Sequence, residues 1–102
     1  MDRIFLLINV SWTKTPMTME NVERLETAIG NFGEWFRFNG TTWLLHTELN
    51  EHVLYGALKI LLTPEDFFLV TRFDPTTYAG WGPGDVDSWV QARQLKLISP
   101  PK

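Results

Sequence analysis

The spacing of hydrophobic positions changes several times along the chain, and each change marks an element. Over residues 3–12, Ile4, Leu6, Ile8 and Val10 alternate with Phe5 and Leu7, so both faces of the run are apolar. Such a run predicts a strand in the middle of a sheet, covered on both sides. The stretch "TKTPMT" breaks it with Pro16, and Thr15 or Thr18 is placed to cap a helix. From Met19 the spacing is helical: Val22, Leu25, Ile29 and Phe32 share one stripe, while Glu20, Glu23, Arg24 and Thr27 take the other side. Gly30 and Gly33 are expected to end this helix near residue 32.

Next comes "EWFRFNGTTWLLHT", two β-rich runs flanking Asn39-Gly40. That dipeptide accepts positive φ at both central positions of a type I′ turn, so it predicts a hairpin with strands at 34–38 and 41–47. Asn50 is placed to cap a second helix, with Val53, Leu54, Ala57, Leu58 and Leu61 as its apolar face. Gly56 within it marks a weak point or a close approach to the sheet. "TPED" stops the helix, and "FFLVTRF" (residues 67–73) reads as a fourth strand. Beyond it, "DPTTYAGWGPGD" is a Gly- and Pro-rich loop and "VDSWVQARQL" a short helix capped by Asp85 or Asp87. "KLISPPK" closes the chain as a strand or tail.

The resulting order is βαββαβ. It predicts an α+β, ferredoxin-like sandwich: a four-stranded antiparallel sheet, two helices on one face and a short C-terminal helix. Nothing splits the chain, so residues 1–102 form one domain, with a core over about 3–74 and a loop, helix and tail over 75–102. Two helices cover one sheet face. The other is also apolar, with Phe5 and Leu7 from the first strand and large side chains such as Trp43 from the hairpin. A face of that extent exceeds what a monomer exposes. The C-terminal segment, a second copy or another protein must cover it, and a two-fold homodimer is the most economical answer. Phe5, Leu7, Asn9, Trp43 and Trp81 are the expected contact residues.

Composition narrows the function. The chain has 102 residues, 44% hydrophobic and 21% charged, which fits a soluble globular domain. Its seven Phe, five Trp and two Tyr exceed what one small core needs, so some rings are expected at an interface. The absence of cysteine excludes disulfides and thiolate metal sites and fits a reducing, cytoplasmic location. The first apolar run is too short for a membrane span and lacks a cleavage site, so neither membrane insertion nor secretion is expected. Nine Lys and Arg against twelve Asp and Glu give a net charge of −3, which argues against direct nucleic-acid binding through phosphates. Glu20, Glu23, Glu26 and Glu34, with Asp85 and Asp87, form either a solvated helix face or an acidic surface that docks on a basic partner.

Candidate chemistry is sparse. His46, Glu48 and His52 have an H-x-E-x₃-H spacing, but no metal motif uses it, and the two histidines fall on different elements. Ser11 and His46 could form a nucleophile and base on neighbouring strands, although nothing marks a third partner or an oxyanion hole. The glycines of "YAGWGPGD" match neither dinucleotide nor phosphate-loop patterns. Trp81 among them is either an anchor packed on the domain or an exposed contact.

The βαββαβ order, the "NVS" that ends strand 1 and the "AGWG" loop resemble the SinR-like proteins and the related small CRISPR-associated adaptation nucleases. The resemblance covers about the first 90 residues. It implies a ferredoxin-like homodimer in which an aspartate at the end of strand 1, from each of two subunits, holds one metal ion. The matching tripeptide here is Ile8-Asn9-Val10, and an amide gives a hard cation a dipole instead of a charge. Two such amides could instead hydrogen-bond each other. The expectation is a non-catalytic, homodimeric interaction module without metal or cofactor, in the manner of a mobile-element-encoded inhibitor aimed at a basic nucleic-acid-binding protein. The alternative is a metal-dependent endonuclease with substituted ligands, Asp74 or Glu48.

Overall fold

The structure, a computed structural model, describes residues 3–63, 65–78 and 86–98. Its elements come in the predicted order: β1 (Ile4–Ser11), α1 (Met19–Ile29), β2 (Gly33–Asn39), β3 (Thr42–Thr47), α2 (Glu51–Leu61), β4 (Phe67–Phe73) and α3 (Val86–Ile98). The strands pair antiparallel in the order β2-β3-β1-β4, which puts β1 and β3 at the centre. This is the ferredoxin-like α+β sandwich with an added helix.

The caps explain where the helices start. Thr18 accepts from the Asn21 N–H at 3.2 Å, and Asn50 accepts from the Val53 N–H at 2.9 Å. α1 stops sooner than its periodicity suggested, at Ile29 with Gly30 as cap, and Gly33 opens β2 instead of closing the helix. The hairpin also departs from expectation, because neither Asn39 nor Gly40 has a positive φ, so the turn is not type I′. Asn39 Oδ1 accepts from both the N–H and the hydroxyl of Thr41, at 2.9 and 2.8 Å, and β2 bulges between Arg37 and Asn39. An Asx turn and a bulge thus reverse the chain where a mirror-image turn was predicted.

Alternation along β1 divides the interior. Leu6, Ile8 and Val10 point to one face and bury Val22, Leu25 and Ile29 of α1 and Leu54 and Leu58 of α2. Val53, expected in the core, is 52% exposed because α2 buries only the Leu54–Leu58 stripe. Gly56 makes no close approach, since a Cβ there would meet nothing within 4 Å. On the second face, Phe5, Leu44 and Val90 form a smaller cluster with Leu7, Phe36, Phe73, Tyr78, Val86 and Trp89 packed on it. The C-terminal helix therefore covers one end of the face left open by α1 and α2. Residues 96–98, read as strand or tail, continue this helix. Tyr78 donates its hydroxyl to Asp87, and Arg93 reaches Glu34 of β2 at 3.1 Å, which tie α3 to the sheet.

Candidate functional site

Among the described residues the other end of the second face has no helix over it. There β1 finishes with Asn9, Val10 and Ser11, and Asn9 stands between Thr42 of β3 and Leu69 of β4. Its side chain is solvent-exposed, and Nδ2 donates to Thr42 Oγ1 at 3.0 Å. Beside it, Phe67 and Leu69 of the edge strand β4 are each 65% exposed. A groove of about 710 Å³ runs here and takes its lining from both sides of the sheet: Asn9, Phe67 and Leu69 from one, Tyr55, Lys59 and Phe68 from the other.

Asp66 anchors this end. It is 5% exposed and precedes β4 directly. Oδ1 accepts from three consecutive backbone N–H groups, Thr13, Lys14 and Thr15, at 3.0, 2.6 and 3.0 Å. Oδ2 accepts from the hydroxyls of Thr15 and Thr63 at 2.6 and 2.9 Å. Burial by itself would raise this carboxyl, but the hydrogen bonds from Thr15, Lys14 and Thr63 outweigh it and hold it well below the usual range. An internal carboxylate thus fills an anion-binding nest of backbone amides and fixes the β1–α1 loop against the start of β4.

Of the expected contact residues, two are consumed by the fold. Trp43 is fully buried on the helix-facing side and donates its indole N–H to Glu26 at 2.8 Å. Phe5 is 2% exposed beneath α3, tilted against His46 and edge-on to Trp89. Leu7 packs at the margin of that cluster, half-buried. Among the described ones only Asn9 lies open. Trp81, the "AGWG" stretch and Asp85 lie outside the described residues.

The expected acidic surface divides as well. Glu20 and Glu23 are exposed on α1. Glu26 is 4% exposed and receives Arg37 through two hydrogen bonds, because it falls on the same stripe as Val22 and Ile29. Burial pushes its carboxyl up, yet the bonds from Arg37 and Trp43 leave it below its ordinary value. Glu34 belongs to β2 and pairs with Arg93 across the sheet from α1. The four glutamates therefore do not form one surface.

The remaining chemical candidates are kept apart by register. His46 pairs with Phe5, and Ser11 lies six residues further along β1, about 20 Å at roughly 3.3 Å per residue. No nucleophile–base pair forms between them. His46 is buried and His52 exposed, and among the described residues no group of three or more His, Cys, Asp or Glu side chains could hold a metal ion. The metal implied by the family resemblance needs charged oxygens near Asn9. Asp66 has both oxygens taken by protein donors. Asp74 bonds the Thr76 N–H and hydroxyl, five residues along β4 from Leu69, the partner of Asn9. Glu48 comes directly after Thr47, which pairs with Ile4 at the far end of β1. The residues present do not fit that metal.

Sequence reasoning missed Asp66, and it placed Glu26 on an acidic surface where the structure buries it. The helical spacing of Glu26 from Val22 and Ile29 was a usable signal. For Asp66 only Thr63, three residues before it, is a local donor, and the Thr13–Thr15 donors lie some fifty residues earlier in the chain. The fold defines a ferredoxin-like α+β domain. No protein family, curated protein or solved structure matches the chain.

Proposed function

We propose that the chain is a cytoplasmic protein-interaction module without catalysis of its own, working as a homodimer. The observation that carries this reading is the end of the second sheet face that no described helix covers. At the position where the resembling nucleases place a metal-binding acid, the chain has an exposed amide flanked by two exposed apolar side chains, Phe67 and Leu69. Such a surface offers apolar area and hydrogen bonds, which suit contact with protein. Among the described residues no helix is long and apolar enough to cross a membrane. The outer face of α1, with Glu20 and Glu23 exposed, is where a basic partner would dock, as an inhibitor of a nucleic-acid-binding protein would require.

Two measurements test the reading. Sedimentation at micromolar concentration should give twice the chain mass of 11.8 kDa. Incubation with labelled RNA and DNA in Mg²⁺ or Mn²⁺ should leave both intact. Cleavage that EDTA abolishes and Asp74→Ala removes would establish the endonuclease alternative instead.

A further inference from the structure

We infer that two copies of this chain join edge to edge, through β4 of each, in one continuous eight-stranded antiparallel sheet. The inference rests on the homodimer reading and specifies its interface. Of the two sheet edges, only β4 is built to accept a strand. β2, the opposite edge, is interrupted by the bulge between Arg37 and Asn39 and carries Glu34 and Arg37, features that discourage pairing. β4 pairs with β1 in unbroken register from Phe67 to Phe73. It has no proline and a single charged residue, Arg72, and among the described residues its other side has no strand beside it. Its outward N–H and C=O groups therefore form a template for a further strand.

The groove at this edge fits that occupant. Its lining comes from both faces of the sheet, and only a chain lying along the edge touches both. Two exposed apolar side chains, Phe67 and Leu69, lie on this edge strand, and Tyr55 of α2, also exposed, stacks on Phe68 beside them. A two-fold axis through Phe68 places Phe67 opposite the partner's Leu69, and Leu69 opposite the partner's Phe67, on the same face. The two exposed large apolar side chains of β4 then cover each other twice. Charge does not oppose this register: Glu65, exposed before β4, falls opposite the partner's Thr71, and Arg72 stays paired with Glu51 of its own copy at 2.9 Å. The face-to-face dimer implied by the family resemblance is obstructed at one end by α3, which the edge arrangement leaves in place.

The chain's lack of cysteine makes the test direct. Phe67→Cys protein mixed with Leu69→Cys protein should form an intermolecular disulfide on mild oxidation, because opposed residues in an antiparallel pair have the required Cα separation. Neither variant alone should cross-link comparably. In sedimentation, Phe67→Lys/Leu69→Lys should weaken self-association by about tenfold or more, with melting behaviour kept close to the parent, because both side chains are already exposed in one copy. A parent dimer that resists this cross-link, survives the lysines and is instead joined through Asn9→Cys would overturn the edge inference and keep the homodimer. A parent that stays monomeric at the highest soluble concentration would overturn both, and the edge would then belong to a strand from a different protein.

Discussion

Glu26 of α1 and Arg37 of β2 meet through two parallel hydrogen bonds, Nε to Oε2 at 2.5 Å and a terminal guanidinium nitrogen to Oε1 at 2.6 Å. The Trp43 indole adds a third donor to Oε2 at 2.8 Å. One carboxylate thus joins helix, edge strand and central strand inside the core. Its removal leaves a half-buried cation and a buried N–H without an acceptor of matching charge. Glu26→Gln should therefore cost about 1–3 kcal/mol in urea unfolding, and Trp43→Phe about 1 kcal/mol on top of any packing loss. Glu20→Gln, on the exposed side of the same helix, should change stability by less than about 0.5 kcal/mol.

Asp66 predicts an acid-sensitive fold. Its carboxyl lies well below the ordinary value of 3.8, so in the acid range the unfolded chain binds the proton that the folded chain refuses. The stabilisation is complete above about pH 4 and is lost as pH falls further. Asp66→Asn removes the charge and keeps one oxygen for the Thr13, Lys14 and Thr15 N–H groups, but it puts an NH₂ donor where Oδ2 accepts from the Thr63 N–H and the Thr15 and Thr63 hydroxyls. It should cost about 3 kcal/mol at pH 7 and flatten the acid limb of the stability profile. Thermal melts from pH 7 to pH 2 check both; parallel profiles for parent and variant would contradict the assignment.

The glycines separate by what surrounds them. A Cβ at Gly33 would sit 2.1 Å from the backbone oxygen of His46, a contact that only backbone movement can relieve. Gly33→Ala should cost about 1–3 kcal/mol. At Gly40 the nearest atom is Met17 Sδ at 3.1 Å, on an exposed and flexible side chain, and φ is ordinary. Gly40→Ala should cost less than about 1 kcal/mol. Gly56 lies inside α2 with open space around it, so Gly56→Ala should stabilise by about 0.5–1 kcal/mol. Chemical denaturation of the three variants gives the ranking directly.

Asn9→Asp tests how copies meet. In one copy the new carboxylate is exposed and can accept from the Thr42 hydroxyl in place of the present bond, so stability should change by less than about 0.5 kcal/mol. Edge-to-edge pairing keeps the two Asn9 positions apart, and the variant should track the parent from pH 5 to pH 8, with or without Mg²⁺. A loss at high pH that a divalent cation reverses would place two carboxylates together across a face-to-face axis.

Local pattern alone was enough for the elements and their order. The limits of β4, the Asn50 cap and the central position of β1 are direct consequences of hydrophobic period, capping chemistry and the antiparallel βαββαβ rule, all of which act over a few residues. Even the division of β1 into Phe5 and Leu7 against Leu6 and Ile8 comes from the two-residue repeat. Tertiary structure decided which apolar and acidic residues remain available. Trp43 and Leu69 are both large side chains on strands, but a central position buries one under two helices and an edge position exposes the other. Glu26 and Glu23 are neighbours in sequence, and a rotation of three residues about α1 carries one into the core and leaves the other in solvent. The Asp66 nest, the bulge in β2 and the reach of α3 over half a sheet face depend on register and on contacts between distant segments. Such contacts are set by the folded chain as a whole, which is why they leave no mark on any short stretch of sequence.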